Sequence, residues 1–471
     1  MVSTPNPIHL NQAGGVLAAQ AGGFFFGSAM AIALGTSAAG TTLAAVSAMT
    51  AAWFGLLTFR HLTSRRLGLS RSSLVVQGCA QVALLAFCAL EFRADNIRRA
   101  PVSLTPLPEL SLRDLASGQA GATDMERWME EQIGAKGHPS LNIAVANRAG
   151  LLFSHLAGEH GADAGDAAPL YPVASVTKTI TATMALVLEE EGRFSLEEPL
   201  TKHLPEGAVV TTSMESGRTI TLGMLATHTS GLVRGIDRPM RERGDSYDGF
   251  LPERLMEELR ASPPRFPPGS DRGYSNLAYG ALGHVLERAS GEKFEALLES
   301  RITAPLGLGD TSILDYTDPE ITRRLVTPHE VGTGSPVLPS TDLSERLVGS
   351  GGAVSTASDL ARFGAALLSA EALSLSEERH RSLFEPTHLL DESGEPGEVI
   401  GQSVVGTVRE RGEAGTCLSK NGGRDGASAF LIICPEIGLS VAVTSNRLVD
   451  SFEGSVDDIG VRIVNRLAGS E

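Results

Sequence analysis

Ser175 and Lys178 stand three apart in YPVASVTKTI, where an apolar helical pattern, ITATMALVL, begins. At i and i+3 they share one helix face. The serine falls at the helix start, where free backbone N–H groups and the helix dipole favour developing negative charge. A lysine one turn further, among core residues, is costly unless it is paired or loses its charge. Desolvated and near another cation, it can titrate low enough to serve as a base, so Ser-x-x-Lys can be a nucleophile with its base. Alone, the pair reads equally well as an N-cap serine and a snorkelling lysine.

Two further stretches could complete the chemistry. Tyr274-Ser275-Asn276 follows the turn Pro267-Pro268-Gly269 and precedes an apolar helix starting near Leu277. That puts Tyr274 and Asn276 on a loop able to point into a cleft. Lys420-Asn421-Gly422-Gly423 closes a predicted strand, and glycine there lets a ligand approach the backbone closely.

The elements that must position these groups are legible from texture. MERWMEEQIGA reads as an amphipathic helix, and LNIAVANRAGLLFSHLAGE as two strands about a turn at Asn147 to Gly150. After a long stretch of helices and loops, GTCLSKN, SAFLIIC and LSVAVTS return to strand pattern, and SVDDIGVRIVNRLA closes the chain as a helix. Strands at both ends with helices between predict an α/β (α+β) fold. One antiparallel sheet is built from both ends of the domain, flanked by helices, with an inserted helical lobe. Residues 123–471 form this domain and 101–122, mixing Pro, Ser and Gly, read as a linker.

Residues 1–100 read as a membrane region. From Leu10 to Phe59, 50 residues pass without a charged residue or histidine, and Ser72 to Leu90 is a further uncharged stretch of 19. This room suits about three transmembrane helices. Arg60 to Arg71 carries four arginines and no acid, which puts that loop in the cytoplasm and everything after a third span outside. With two spans, one stretch being only a hairpin or interfacial helix, the domain would instead be cytoplasmic. Localisation is thus expected at the cytoplasmic membrane, with the catalytic domain on the extracytoplasmic side. The chain carries 39 basic and 55 acidic residues, a net charge of −16, and only two of the acids precede residue 101. A domain that acidic is a poor partner for nucleic acid. Cys79 and Cys88 lie in the third apolar stretch; Cys417 and Cys434 lie on neighbouring predicted strands and could bridge in an oxidising compartment. His155 and His160 lack the spacing of a helical metal pair, and no metal or cofactor is expected.

Taken with SVTK, YSN and KNGG, the stretches ITLGMLATHTSGL, RITAPLGLGDTSI and GGAVSTASDLARFG resemble the serine β-lactamase and penicillin-binding-protein superfamily. The chain is most similar to its class C β-lactamase-like serine hydrolase branch, over about Met125 to Leu467. The resemblance implies catalytic roles for Ser175, Lys178, Tyr274 and Lys420. Ser175 would be acylated, Lys178 would take its proton, alone or shared with Tyr274, and Tyr274, held partly phenolate by Lys178 and Lys420, would protonate the leaving group and later activate water. Asn276, Asn421, Gly422 and Gly423 would bind substrate, with the N–H groups of Ser175 and Gly423 forming the oxyanion hole. Asn421 departs from the family's usual Thr or Ser, which puts efficient β-lactam turnover in doubt, while Lys420 leans towards carboxylate-bearing substrates. The implied function is a membrane-anchored serine hydrolase of a small-molecule or peptide substrate: a D-amino-acid peptidase, an esterase or a β-lactamase. A catalytically weak binding or sensor module on the same fold is the alternative. His228 reads as a packing and hydrogen-bonding residue beside the cleft. The sequence leaves the oligomeric state open.

Overall fold

Side chains along the C-terminal strands alternate between two cores. In Ala427–Cys434, Ala429, Leu431 and Ile433 join one buried cluster, while Phe430, Ile432 and Cys434 join another. Side chains of period two, buried on both faces, place a sheet between two layers of helix. The computed structural model describes residues 104–469 except 118–119, 135–136, 207–209, 211–217, 236–251, 330–346, 390–399, 425 and 450–451.

The central sheet has eight strands, β1 (Ser140–Asn147), β2 (Gly150–Gly158), β3 (His388–Leu389), β4 (Ile400–Gln402), β5 (Thr407–Glu410), β6 (Thr416–Arg424), β7 (Ala427–Cys434) and β8 (Leu439–Ser445). Their order is β2-β1-β8-β7-β6-β5-β4-β3, and the neighbours are antiparallel. β1 meets β8 from Leu141 opposite Ser445 to Asn147 opposite Leu439, so both ends of the domain build one sheet, as the sequence predicts. β5 pairs with β6 only as far as Ser419. Beyond it, Lys420–Arg424 keep β7 as their partner on one side.

Five helices matter for the site: α1 (Ala120–Glu131), α2 (Thr177–Glu190), α3 (Asn276–Ser290), α4 (Ala357–Ala366) and α5 (Val456–Ala468). Trp128 and Met129 of α1 share a core with Ile459 and Ile463 of α5, and with Phe430 and Ile432 of β7. On the other face α4 packs on β1 and β8, and α2 and α3 form the heart of the helical lobe. Residues Thr177 to Leu188 of α2 are all buried, which is why its pattern is apolar on every side. Its threonines are tolerated because their hydroxyls donate: Thr179 to Val405 O at 2.9 Å and Thr181 to Gly349 O at 2.7 Å. α3 starts on Ser275, whose Oγ accepts from the Ala278 N–H at 2.9 Å, and ends at Gly291 in the left-handed region.

Cys417 and Cys434 are disulfide-bonded across β6 and β7. The stretch read as a linker is folded onto the domain from Leu104 on: Leu110, Leu115 and Ala122 are buried with α1 and α5, and Trp128 Nε1 donates to Thr105 O at 3.0 Å. Its apolar residues recur every two to three positions, enough to be buried in spite of the Pro and Gly between them. The chain divides into two units at Phe92/Arg93, and the described residues belong to the second. The three apolar stretches of the expected membrane region lie outside the described residues; among those described, no helix is long and apolar enough to cross a membrane.

Candidate active site

Ser175 sits in a 3-10 turn, Ala174–Val176, that runs directly into α2. The turn is tightly set. Ala174 has φ +44°, a left-handed value uncommon for a residue with a Cβ and typical of functional turns. Gly422 of β6 passes against it: a Cβ at Gly422 would lie 2.1 Å from Val173 O and 2.9 Å from Ser175 N. Only glycine lets this strand run beside the serine.

Four predicted residues converge here. Ser175 Oγ lies 2.5 Å from the Tyr274 hydroxyl. Lys178 Nζ donates to Ser175 Oγ at 3.1 Å and to Ser350 O at 2.6 Å. Lys178 Nζ lies 4.9 Å from the centre of the Tyr274 ring and Lys420 Nζ 5.4 Å from it. Lys178 is 1% exposed, and burial, with the charges of Lys420 and Arg234 adding to it, holds its pKa well below the usual lysine value. Burial thus favours its neutral amine form, and two hydrogen-bond partners hold it in place.

Lys420 is half-buried at the cleft mouth. Desolvation draws it down to about 8; Asp457 opposes the drop and Arg272 adds to it. Tyr274 differs from the partly phenolate form that the resemblance implies. Burial pushes its hydroxyl up, against the Ser175 hydrogen bond and the charges of Arg234 and Arg272, so the resting group is the phenol.

The remaining predicted residues fall at different distances from this centre. Asn276 heads α3, and its Oδ1 accepts from Ser350 Oγ at 3.0 Å. Gly423 stands opposite Ser428 in the β6–β7 ladder. Asn421 is turned towards α5, its Nδ2 donating to Asp457 Oδ2 at 2.9 Å. His228 supports the tyrosine. The Gly273 N–H donates to His228 O at 2.9 Å and the Ser275 N–H to His228 Nδ1 at 3.2 Å, so both residues flanking Tyr274 are tied to it. The imidazole packs 4.6 Å from the Tyr274 ring. Burial first, then Lys178, Lys420 and Arg272, hold it well below the usual histidine pKa, leaving Nδ1 able to accept.

Ser350, Arg234, Arg272 and Asp457 escaped the sequence reading. Arg234 lies over the Tyr274 ring at 5.2 Å, and Arg272 Nη2 donates to Gln402 Oε1 at 3.0 Å. Ser350 carried a faint signal, the run of small residues Gly349 to Gly352, which lets its backbone reach Lys178.

A serine at a helix start, with an amine and a phenol on its oxygen, defines a class of site built for nucleophilic attack and proton transfer. Residues 125–466 match the Beta-lactamase family, and the chain belongs to that family. It is 31% identical over 315 residues to the D-alanyl-D-alanine-carboxypeptidase/endopeptidase AmpH of Escherichia coli, covering 64% of this chain and 76% of that one. It is 34% identical over 176 residues to Esterase EstB of Burkholderia gladioli, covering 36% of this chain and 43% of the esterase. Among solved structures, a D-stereospecific amidohydrolase from Streptomyces sp. superposes with a TM-score of 0.55 at 24% identity, over 71% of this chain and 96% of that one. A β-lactamase/D-alanine carboxypeptidase from Yersinia pestis gives 0.56 at 22%, over 75% and 98%. At these identities the structural likeness speaks for the fold alone.

Proposed function

We propose that this protein is a serine hydrolase that opens an amide, ester or peptide bond through an acyl-enzyme on Ser175. The observation that carries it is the Ser175 oxygen held between the Tyr274 hydroxyl at 2.5 Å and the Lys178 amine at 3.1 Å. As Oγ attacks the substrate carbonyl, the neutral Lys178 amine accepts its proton. The N–H groups of Ser175 and Gly423 receive the developing oxyanion. The Tyr274 hydroxyl, bonded to Ser175 Oγ, passes a proton to the leaving group and later orients water for deacylation. Asn276, with its carbonyl taken by Ser350, turns its amide donor towards the substrate.

The class C β-lactamase-like branch is the best description of this set, because the phenol belongs to a Tyr-x-Asn motif. Within it, AmpH, aligned over most of its length, supports a D-amino-acid peptidase over the esterase, which is aligned over less than half of its own. We place the domain on the extracytoplasmic side of a membrane, anchored by residues 1–100. The Cys417–Cys434 disulfide supports an oxidising compartment, and so the reading with three spans.

Turnover of p-nitrophenyl esters, D-alanyl peptides and cephalosporins by wild type and Ser175→Ala tests the proposal. The variant should retain its fold and lose turnover of whichever substrate wild type accepts. Substantial residual turnover in a clean Ser175→Ala preparation removes Ser175 as the nucleophile, and wild type inert towards every acyl donor favours a binding or sensor module.

A further inference from the structure

Asn421 stands where the family usually carries a hydroxyl, and the structure gives its amide a different task. The Nδ2 end donates to Asp457 Oδ2 at 2.9 Å. The Oδ1 end lies 3.5 Å from Lys420 Nζ, and the same ammonium donates to the Asn421 backbone carbonyl at 2.9 Å. One side chain therefore spans from a carboxylate to an ammonium, donor towards the anion and acceptor towards the cation. A threonine or serine hydroxyl would have to serve both partners through one short oxygen, whereas the amide carries its donor and its acceptor on separate atoms. Asp457 is fixed in the first turn of α5, whose N-cap Ser455 accepts from the Asp458 N–H, and that helix is packed on β7 and β8. The carboxylate thus comes from a rigid element.

We propose that Asp457 is a positioning residue for the reaction: through the Asn421 amide it holds the Lys420 ammonium over Tyr274, so that the third motif of this chain works as a Lys–Asn–Asp unit. This rests on the serine hydrolase reading above.

The charges around the unit fix the direction of the effect. Asp457 faces Lys420 and Arg411, which favour its ionised form along with the Asn421 bond, while burial outweighs them and lifts it to about 6. Lys420 faces Asp457 and Arg272, and its own charge is felt by Lys178 and His228. Arg234 lies over the same tyrosine ring. Among the described residues around Lys420, Asp457 is the acid whose charge favours the protonated amine. Without its charge, Lys420 should lose its proton at lower pH, and the alkaline limb of activity should move down with it.

The chain has five lysines, so the full-length protein labelled with 13C at lysine Cε allows Lys420 to be followed by NMR, assigned through Lys420→Arg. Lys420 should titrate near 8 in wild type and roughly one pH unit lower in Asp457→Asn, which keeps size and an acceptor oxygen. In parallel, kcat/KM for a p-nitrophenyl ester should fall roughly fivefold at pH 8 and change less than about twofold at pH 6.5, where Lys420 is charged in both. Asp457→Glu should bring the limb back towards wild type. Asn421→Ala, which breaks the bridge and keeps both charges, should lower kcat across the pH range. An Asp457→Asn protein with an unmoved Lys420 titration and an unmoved pH profile overturns the proposal. A wild type in which Lys420 titrates as expected but no acyl donor is turned over overturns the hydrolase reading instead, and leaves the Asp457–Lys420 coupling standing.

Discussion

At the scale of single residues, the proposed specificity turns on Lys420. The chain is strongly acidic, yet Lys420, Arg234 and Arg272 gather around Tyr274, so the cleft attracts anions. In a partly desolvated site a charge-assisted hydrogen bond to a substrate carboxylate is worth about 1.5 to 3 kcal/mol. Lys420→Ala should therefore lower kcat/KM for both substrate types, by roughly ten- to a hundred-fold more for a carboxylate-bearing peptide than for a neutral ester. Equal losses on the two would show that the lysine only tunes the site. At this scale the convergence of Ser175, Lys178, Tyr274 and Lys420 was legible because the proposed chemistry needs particular side chains at fixed local spacing. Ser350 was not, since it serves Lys178 with a backbone carbonyl from 172 residues away, and a carbonyl leaves no mark on residue type. Asp457 was hidden for a related reason: its role depends on α5 lying beside β6, a long-range fact that neither segment encodes alone.

At the scale of elements, the site depends on β6 passing the Ser175 turn, and β6 is stapled to β7 by Cys417–Cys434. The bridged residues are 17 apart, and closing a loop of that size adds about 2 to 4 kcal/mol of stability. Replacing both cysteines by alanine should cost about that much in denaturant unfolding, with a lower thermal midpoint, and reductant should shift wild type in the same direction while leaving the double variant unmoved. A wild-type melt indifferent to reductant would mean that the bridge contributes nothing. Strand patterns at both ends of the domain were readable because each face of β7 and β8 alternates into a different core. The stretch 101–122 was misjudged in part because Pro, Ser and Gly dominate its texture, while the five leucines from Leu104 to Leu115 find a core only once α1 and α5 are in place.

On the scale of the whole molecule, compartment and topology are coupled. On the proposed function, the Cys417–Cys434 disulfide calls for an oxidising environment, and the arginine-rich stretch 60–71 is expected in the cytoplasm. Both hold together if an odd number of spans lies between residues 60–71 and the domain. A phosphatase fused after residue 110 should therefore be active, and a reporter that needs the cytoplasm should be silent there. The reverse pattern would put the domain inside and leave the disulfide without an environment to form it. Acid balance argues against nucleic acid from sequence alone, but the substrate was not legible, because residue types and local spacing do not fix a pocket's shape.

The acyl-enzyme itself is the centre of the account, and peptide mapping by mass spectrometry after incubation with a fluorophosphonate or a penicillin tests it most directly. One covalent adduct should appear, on the peptide carrying Ser175, and vanish in Ser175→Ala. An adduct on any other residue, or turnover by a protein that never forms one, would contradict it.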